Sequence, residues 1–444
     1  MYRALPALLR GPAVALAGIA RESGGEVVRL GLGPFRPYLV SHPDHVQQVM
    51  RLEWTNYQRM GMFWRPLERL FGHSIMGDGE QWSISRKILQ PMFTTRYIAT
   101  IAEEVSRRVA GRIEEWDGHA RTGQSFDAAT EMSTILTYIV NRVLFGDKLD
   151  RKDGEDIIPA FDTVANSLVY RFLMPFMPYT VRVPRDRALE KAVQRIDDVV
   201  YPIVRRAMDH PDDSTDVISM LCRSTDDNGD PLTAKQIRDA LVSVYAASSE
   251  TTAMVITWLW LLLKEHPQVE ARLQAEIDEV VGDGPARPEH LPRLAYTRMV
   301  LLETLRMYPA GWLLPRQVME DAEVGGVRIR RGSTVFICPY ATQRLDGFWE
   351  RPDEFDPERF APAEGERRHR YSYFPFGGGP HKCLGEHLFY VEAPLVVASI
   401  LSRYRVSVPT PGPYPMGWAA SLRPKQKIML KVAFAGRDRV GAAR

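Results

Sequence analysis

A cysteine set in a glycine-rich loop is the part of this sequence best suited to chemistry. The run Phe374-Pro375-Phe376-Gly377-Gly378-Gly379-Pro380-His381-Lys382-Cys383-Leu384-Gly385 places three successive glycines ahead of Cys383. Glycines at this density permit a tight backbone loop that can lie against a large flat ligand. Helical periodicity follows, from about Leu384 to Arg403. A cysteine at the start of a helix meets amide donors and the positive end of the helix dipole, which favours thiolate. Taken alone, a buried structural cysteine is the commoner explanation. Zinc fails on ligand count: only His381 and His387 lie nearby, and a structural zinc needs four ligands.

Further groups with chemical character are scattered along the chain. Glu303 and Arg306 are three apart within a helical stretch from Tyr296 to Met307, so they share a face; an exposed pair of that kind is worth only about 0.2–0.5 kcal/mol. Pro357-Glu358-Arg359-Phe360 lies downstream. Ala246-Ala247-Ser248-Ser249-Glu250-Thr251-Thr252 puts small residues, an acid and two hydroxyls inside a helix expected from about Thr233 to Lys264. That composition is poor helix interior by propensity. Trp82 and Arg86 are one turn apart, and Arg316 follows Leu313-Leu314-Pro315. By default each arginine is a surface residue.

The elements that must position these groups are mostly helical. Periodicity predicts helices over Ile98 to Trp116, Phe126 to Phe145, Leu189 to Met208 and Gln268 to Val281. Thr233 reads as the cap of the acid-bearing helix, after the turn Asp226 to Asp230. Short strands are expected at Val27 to Leu32, Pro37 to Val40, Leu313 to Val318, Val327 to Ile329, Thr334 to Cys338, Tyr404 to Val408 and Ile428 to Val432. Ser41 is the expected cap of a helix running from His42 through Met50. The fold class is therefore mainly α with small β-sheets (α+β), a helical body plus a smaller β-rich part across 1–444. No repeat or composition break divides it.

The 444 residues are 45% hydrophobic and 25% charged with a net charge of +2. No global field points to nucleic acid or an anionic membrane. Ala13 to Ala20 and Trp258 to Leu263 are the conspicuous apolar runs; both are short of the ~20 residues of a span. Three cysteines argue against a disulfide framework, which suits a reducing, cytoplasmic compartment.

Phe376, Gly379, His381, Cys383 and Gly385 match the haem-binding signature of the cytochrome P-450 family, and the chain resembles that family from Trp82 to Arg423-Pro424-Lys425. The resemblance implies a single haem domain with no fused reductase, holding haem b with Cys383 as the iron ligand. A thiolate on haem iron pushes electron density toward O–O cleavage. It further implies that His381, Arg316, Trp82 and Arg86 hold the propionates, and that Glu303, Arg306 and Arg359 form a buried bidentate network steadying the cysteine loop. Thr251 would steady iron-bound dioxygen and Glu250 help supply protons. Ser248 departs from the family's glycine and could bond a helix carbonyl; Phe389 departs from a common alanine and reads as packing.

The aromatic stretches Met60 to Trp64 and Tyr170 to Met177 look loop-like and match segments that line the family's distal pocket. Phe63, Trp64, Phe172, Tyr245, Ala246, Trp312, Leu313 and Trp418 are the pocket candidates, which suggests a bulky, mostly apolar or aromatic substrate, as in secondary-metabolite biosynthesis. The implied reaction inserts one oxygen atom from O₂. Oxidative coupling without oxygen insertion and a non-catalytic haem sensor are the alternatives. Electrons from NAD(P)H would arrive through a separate ferredoxin or flavodoxin-type partner. That partner would dock on a monomer at a proximal basic face comprising Arg367, Arg368, His369, Arg370, Lys382 and Lys87.

Overall fold

The helical periodicity of the middle of the chain is realised as long helices packed side by side. The computed structural model describes residues 2–3, 8, 10–33, 35–72, 74–173, 177, 180–362, 368–418 and 421–436. Seven helices matter for the site: α1 (Glu80–Leu89), α2 (Ala128–Phe145), α3 (Arg151–Leu173), α4 (Asp186–Asp209), α5 (Ala234–Glu265), α6 (Ala295–Met307) and α7 (Glu386–Arg403). α5 is the spine, packed against α2, α4, α6 and α7. It starts with a capping box in which the Thr233 side chain accepts from the Gln236 backbone and Gln236 reaches back to Thr233. That arrangement satisfies two otherwise orphaned donors. The apolar run expected to be cut short by Lys264 is the far end of this helix, with Trp258 and Trp260 each 2% exposed.

By length and composition Ala234–Glu265 and Gly379–Arg403 are apolar enough to cross a membrane. Both are largely buried inside the fold, and core helices pass the same test.

The β-rich part is a six-stranded sheet in the order Tyr2–Arg3, Val28–Gly31, Tyr38–Val40, Thr334–Ile337, Leu314–Val318, Tyr57–Gln58. The first pair and the Tyr38–Val40/Thr334–Ile337 pair are parallel; the others are antiparallel. Three smaller sheets accompany it. One is a hairpin of β1 (Met416–Trp418) and β2 (Leu422–Pro424).

Local departures from expectation have local causes. His42, not Ser41, caps the first short helix, accepting from the Asp44 N–H through Nδ1 at 3.3 Å. Pro43 occupies the first helical position, which leaves the residue just before it as the cap. That helix is Pro43–Gln47, and it continues as a π-turn over Gln48–Leu52. The stretch from Tyr170 is helical through Leu173 rather than loop. Arg171, 2% exposed, anchors it with a forked pair to Asp186 and a bond to the Val181 carbonyl. This ties the end of α3 to the start of α4. The Phe172 side chain and residues 174–176 lie outside the described residues.

Candidate active site

The cysteine loop is held by its own backbone. Gly377 N–H donates to Phe374 O at 2.9 Å, and Cys383 N–H to Phe376 O at 2.8 Å. Gly377 and Gly379 adopt φ of +72° and +62°, a region that favours glycine. A Cβ on Gly379 would fall 1.9 Å from Met50 O, and one on Gly378 would fall 2.5 Å from the Tyr371 ring. Phe376 meets Phe389 edge-on at 5.4 Å, and Phe389 is 4% exposed.

α7 begins at Glu386, three residues after the cysteine. Gly385 N–H nevertheless bonds the sulfur. Cys383 is exposed, yet burial is the first cause of its elevated pKa. The two observations agree when the thiol borders a cavity enclosed by protein. Burial raises the thiol against the opposing pull of Gly385 N–H, Arg86 and Arg59. A metal ion at the sulfur would deprotonate it outright.

Around this sulfur lies a concentration of positive charge, half-buried at Arg59 and Arg86 and buried at Arg316. Arg316 is 5% exposed, bonds Pro315 O at 2.8 Å, and is depressed to about 9 by burial first and Arg59 next. Arg86 Nη1 donates to Lys382 O at 2.6 Å. Arg59 was not legible as a site residue. Its guanidinium donates to Ile75 O and His381 O at 3.1 and 2.9 Å. Burial holds it down at about 10, with Asp78 opposing. Asp78 was also missed. It accepts from the Arg59 backbone N–H at 2.6 Å and pairs with His381 Nε2 at 2.7 Å.

The expected propionate ligand His381 is therefore engaged by a carboxylate of this chain. Burial pushes His381 down to about 4 against the Asp78 hydrogen bond. Burial would raise Asp78, but His381 and Arg59 outweigh it and hold it low. The arrangement is a neutral imidazole donating to an ionised carboxylate. Trp82 lies 4.2 Å from the His381 ring and 5.7 Å from Trp54. Buried Trp82 Nε1 and Arg59 Nε have no partner among the described residues.

The guanidiniums of Arg59, Arg86 and Arg316 outnumber the Asp78 carboxylate beside them, and orphaned buried donors are costly. A planar group bearing two carboxylates and accepting a thiolate fits this donor set.

Glu303 and Arg306 are both 0% exposed and joined by two bonds of 2.7 and 2.8 Å. Arg306 also bonds the carbonyls of Gln343, Pro352 and Glu354. Arg359 takes a lesser place than expected. Its Nε stands 3.5 Å from Glu303 Oε1 and makes no hydrogen bond among the described residues. Its other nitrogens serve the carbonyls of Glu350 and Arg351. The bidentate pair is Glu303 with Arg306, and Arg359 adds charge to it.

On α5 the Thr251 hydroxyl donates to Ala247 O at 2.8 Å, and the Ser248 hydroxyl to Val244 O at 2.7 Å. The substituted serine thus bonds back within its own helix, as such hydroxyls do. Glu250 is engaged by Ser421 Oγ and Arg423 Nη2. Of the pocket candidates, Trp312, Phe63, Leu313 and Trp418 meet in one apolar cluster with Phe336. Trp64 caps the helix Arg65–Phe71 and donates to Pro315 O at 3.0 Å. Tyr245 is 2% exposed in a different cluster, which half-buried Ala246 borders. Tyr245 is therefore packing rather than open pocket wall.

The proximal charges are less free than expected. Arg368 stacks over Trp349 at 4.2 Å and Phe360 at 4.9 Å, and bonds Arg359 O at 2.5 Å. His369 pairs with Asp44, Lys382 with Glu386 and Lys87 with Asp227. Arg370 is exposed, and Arg367 lies outside the described residues.

Residues 18–432 match the family model described as Cytochrome P450, and the chain belongs to that family. The cyclooctatin synthase of Streptomyces melanosporofaciens is 32% identical, covering 91% of this chain and 86% of that protein. The same organism's cyclooctat-9-en-7-ol 5-monooxygenase is 31% identical over 91% and 87%. The pentalenene oxygenase of Streptomyces avermitilis is 29% identical over 86% and 85%. The crystal structure of the cytochrome P450DA heme domain superposes with a TM-score of 0.87, covering 99% of this chain and 96% of that one at 21% identity. The chain is an oxidoreductase, a P-450 monooxygenase by family. The family works with haem, O₂ and electrons from a redox partner.

Proposed function

We propose that Cys383 ligates the iron of haem b and that the chain hydroxylates a bulky, mostly apolar or aromatic small molecule of secondary metabolism. When bound, the haem supplies the activation of O₂. Arg59, Arg86, Arg316 and Trp82 Nε1 hold its two carboxylates, and His381, fixed by Asp78, closes that edge. Thr251 and Glu250 move protons on the distal side. Phe63, Trp312, Leu313 and Trp418 orient an apolar substrate. The relatives' names, an alkenol oxidised at position 5 and pentalenene, support that substrate class.

Electrons from NAD(P)H reach this cytoplasmic, monomeric enzyme through a separate ferredoxin or flavodoxin. The observation that carries the reading is one accessible sulfur beside the guanidiniums of Arg59, Arg86 and Arg316, the last of them buried, with the Asp78–His381 pair among them. The reduced carbon monoxide complex is expected to show the red-shifted thiolate Soret band, and Cys383→Ala to lose it. A variant that keeps the band overturns the assignment. Soret shifts across a panel of cyclic alkenes and alkenols then identify the substrate, and product mass separates hydroxylation from coupling.

A further inference from the structure

Two adjacent aromatic residues, Phe63 and Trp64, part company in the fold. The strand Tyr57–Gln58 pairs antiparallel with Leu314–Val318, Tyr57 opposite Val318 and Gln58 opposite Gln317. The chain leaves that strand at Arg59 and turns at Gly61, where φ is +80°. Gly61 O accepts from the backbone N–H groups of Trp64 and Arg65, each at 3.1 Å. The closed turn returns Trp64 to the strand it has just left: Trp64 Nε1 donates to Pro315 O at 3.0 Å. The same oxygen accepts from Arg316 Nη1 at 2.8 Å. One carbonyl, with its two lone pairs, thus fastens the indole beside the guanidinium. Phe63 meanwhile meets the rings of Phe336 and Phe35, at 5.4 and 5.7 Å, in the apolar cluster.

The indole lies beneath two cations. The guanidinium carbons of Arg59 and Arg316 stand 5.5 and 5.8 Å from its ring. A guanidinium within about 6 Å of an indole face is attracted by the ring quadrupole, more strongly when desolvated. Like charges side by side repel, and Arg59 contributes to the depressed pKa of Arg316. The negative face of Trp64 offsets that repulsion. It also covers the guanidiniums without consuming their N–H donors. Arg59 spends two nitrogens on Ile75 O and His381 O, and its Nε keeps no partner among the described residues.

We propose that Trp64 is a positioning residue for the haem edge rather than a wall of the substrate pocket. Its indole holds Arg59 and Arg316 together, against their mutual repulsion, for the haem carboxylates. The next residue, Arg65, begins the helix Arg65–Phe71, so the same side chain fixes where that helix starts. The assignment rests on the reading of Arg59 and Arg316 as carboxylate-binding groups.

The test follows transfer of ferric haem from the loaded protein to excess apomyoglobin, together with the reduction potential of the loaded protein. Trp64→Leu removes the ring face and should speed haem transfer about tenfold. It should also shift the potential negative, because the carboxylates near the iron are then less well neutralised. Trp64→Phe keeps a ring face and should stay within about threefold of the wild type. Trp64→pentafluorophenylalanine has nearly the shape of Trp64→Phe with the face charge reversed, and should behave like Trp64→Leu. Adding Arg316→Gln to Trp64→Leu should cost less than the two single changes multiplied together, as expected of groups that act as one.

Equal transfer rates and potentials for the phenylalanine and pentafluorophenylalanine variants overturn the proposal, and this pair decides even if Trp64→Leu fails to load haem. Multiplicative effects of Trp64→Leu and Arg316→Gln overturn it as well. The underlying reading is separated by Arg59→Gln and Arg316→Gln alone. If neither speeds haem transfer, the arginines do not hold the carboxylates and both claims fall. If they speed it while Trp64→Leu does not, only the role of Trp64 falls.

Discussion

The Thr252 hydroxyl donates to Glu392 Oε1 at 2.8 Å, joining α5 to α7 inside the core. Glu392 is 3% exposed, and its Oε2 has no partner among the described residues. Burial raises this carboxyl to about 7, with the Thr252 bond opposing. The folded state therefore keeps a proton that the unfolded chain releases near the ordinary glutamate value. Below that value the group leaves stability unaffected. As pH rises from about 4.5 to 7 the folded protein loses stability, by about 3 kcal/mol when complete. Glu392→Gln should match the wild type in urea midpoint at pH 4 and exceed it at pH 8. Equal midpoints at both pH values would show that Glu392 is not desolvated.

Glu303 is the shared acceptor of Arg306 and the Asp356 N–H, and lies against Arg359. Glu303→Ala strands a fully buried guanidinium. The expected cost is about 3–5 kcal/mol, seen as low yield of haem-loaded protein and a depressed unfolding midpoint. Normal haem content would count against the pair as the loop's support.

Thr251 bonds its own helix through Ala247 O, so its hydroxyl is pre-oriented. Thr251→Ala should consume reductant at a near-normal rate while product per electron pair falls by roughly tenfold or more and peroxide rises. Thr251→Ser should recover most of the coupling. The measurement is peroxide against product per NAD(P)H, and full coupling in the alanine variant would remove Thr251 from proton delivery.

Arg368 and Arg370 are adjacent but should behave differently. Arg368→Glu removes two ring contacts and a carbonyl bond. It should destabilise the fold by about 1–3 kcal/mol at every salt concentration. Arg370 is exposed, so Arg370→Glu should leave the unfolding midpoint alone and slow reduction by an acidic partner most at low salt. Stopped-flow reduction across a salt series distinguishes them. Unchanged kinetics for Arg370→Glu would remove this face as the docking surface.

What could be read in the sequence was what local pattern controls. The Thr233 cap, the helical stretches and the Gly377–Gly379 turn depend on residues a few positions apart. The Arg59–Asp78–His381 group was invisible because it is assembled from segments 19 and 303 or more residues apart, with no periodicity to mark it. Arg59 looked like any surface arginine. Glu392 gave no signal either, since one acid in an apolar helix most often faces water. The aromatic run at Tyr170 misled because its helix is secured by a tertiary pair, Arg171 with Asp186, rather than by propensity.

The contact between Gly379 and the Met50 carbonyl assigns the first sixty residues a task beyond sheet-building. Arg51 Cα and Met50 Cε stand where a Cβ on Gly379 or Gly377 would meet them, and the Arg59 guanidinium bonds the His381 carbonyl. The amino-terminal segment is the mould against which the cysteine loop is cast. A chain shortened past Arg59 would keep the α2–α5–α7 body but lose the surface that sets the height of the sulfur, and would form a helical shell with an unregistered thiol.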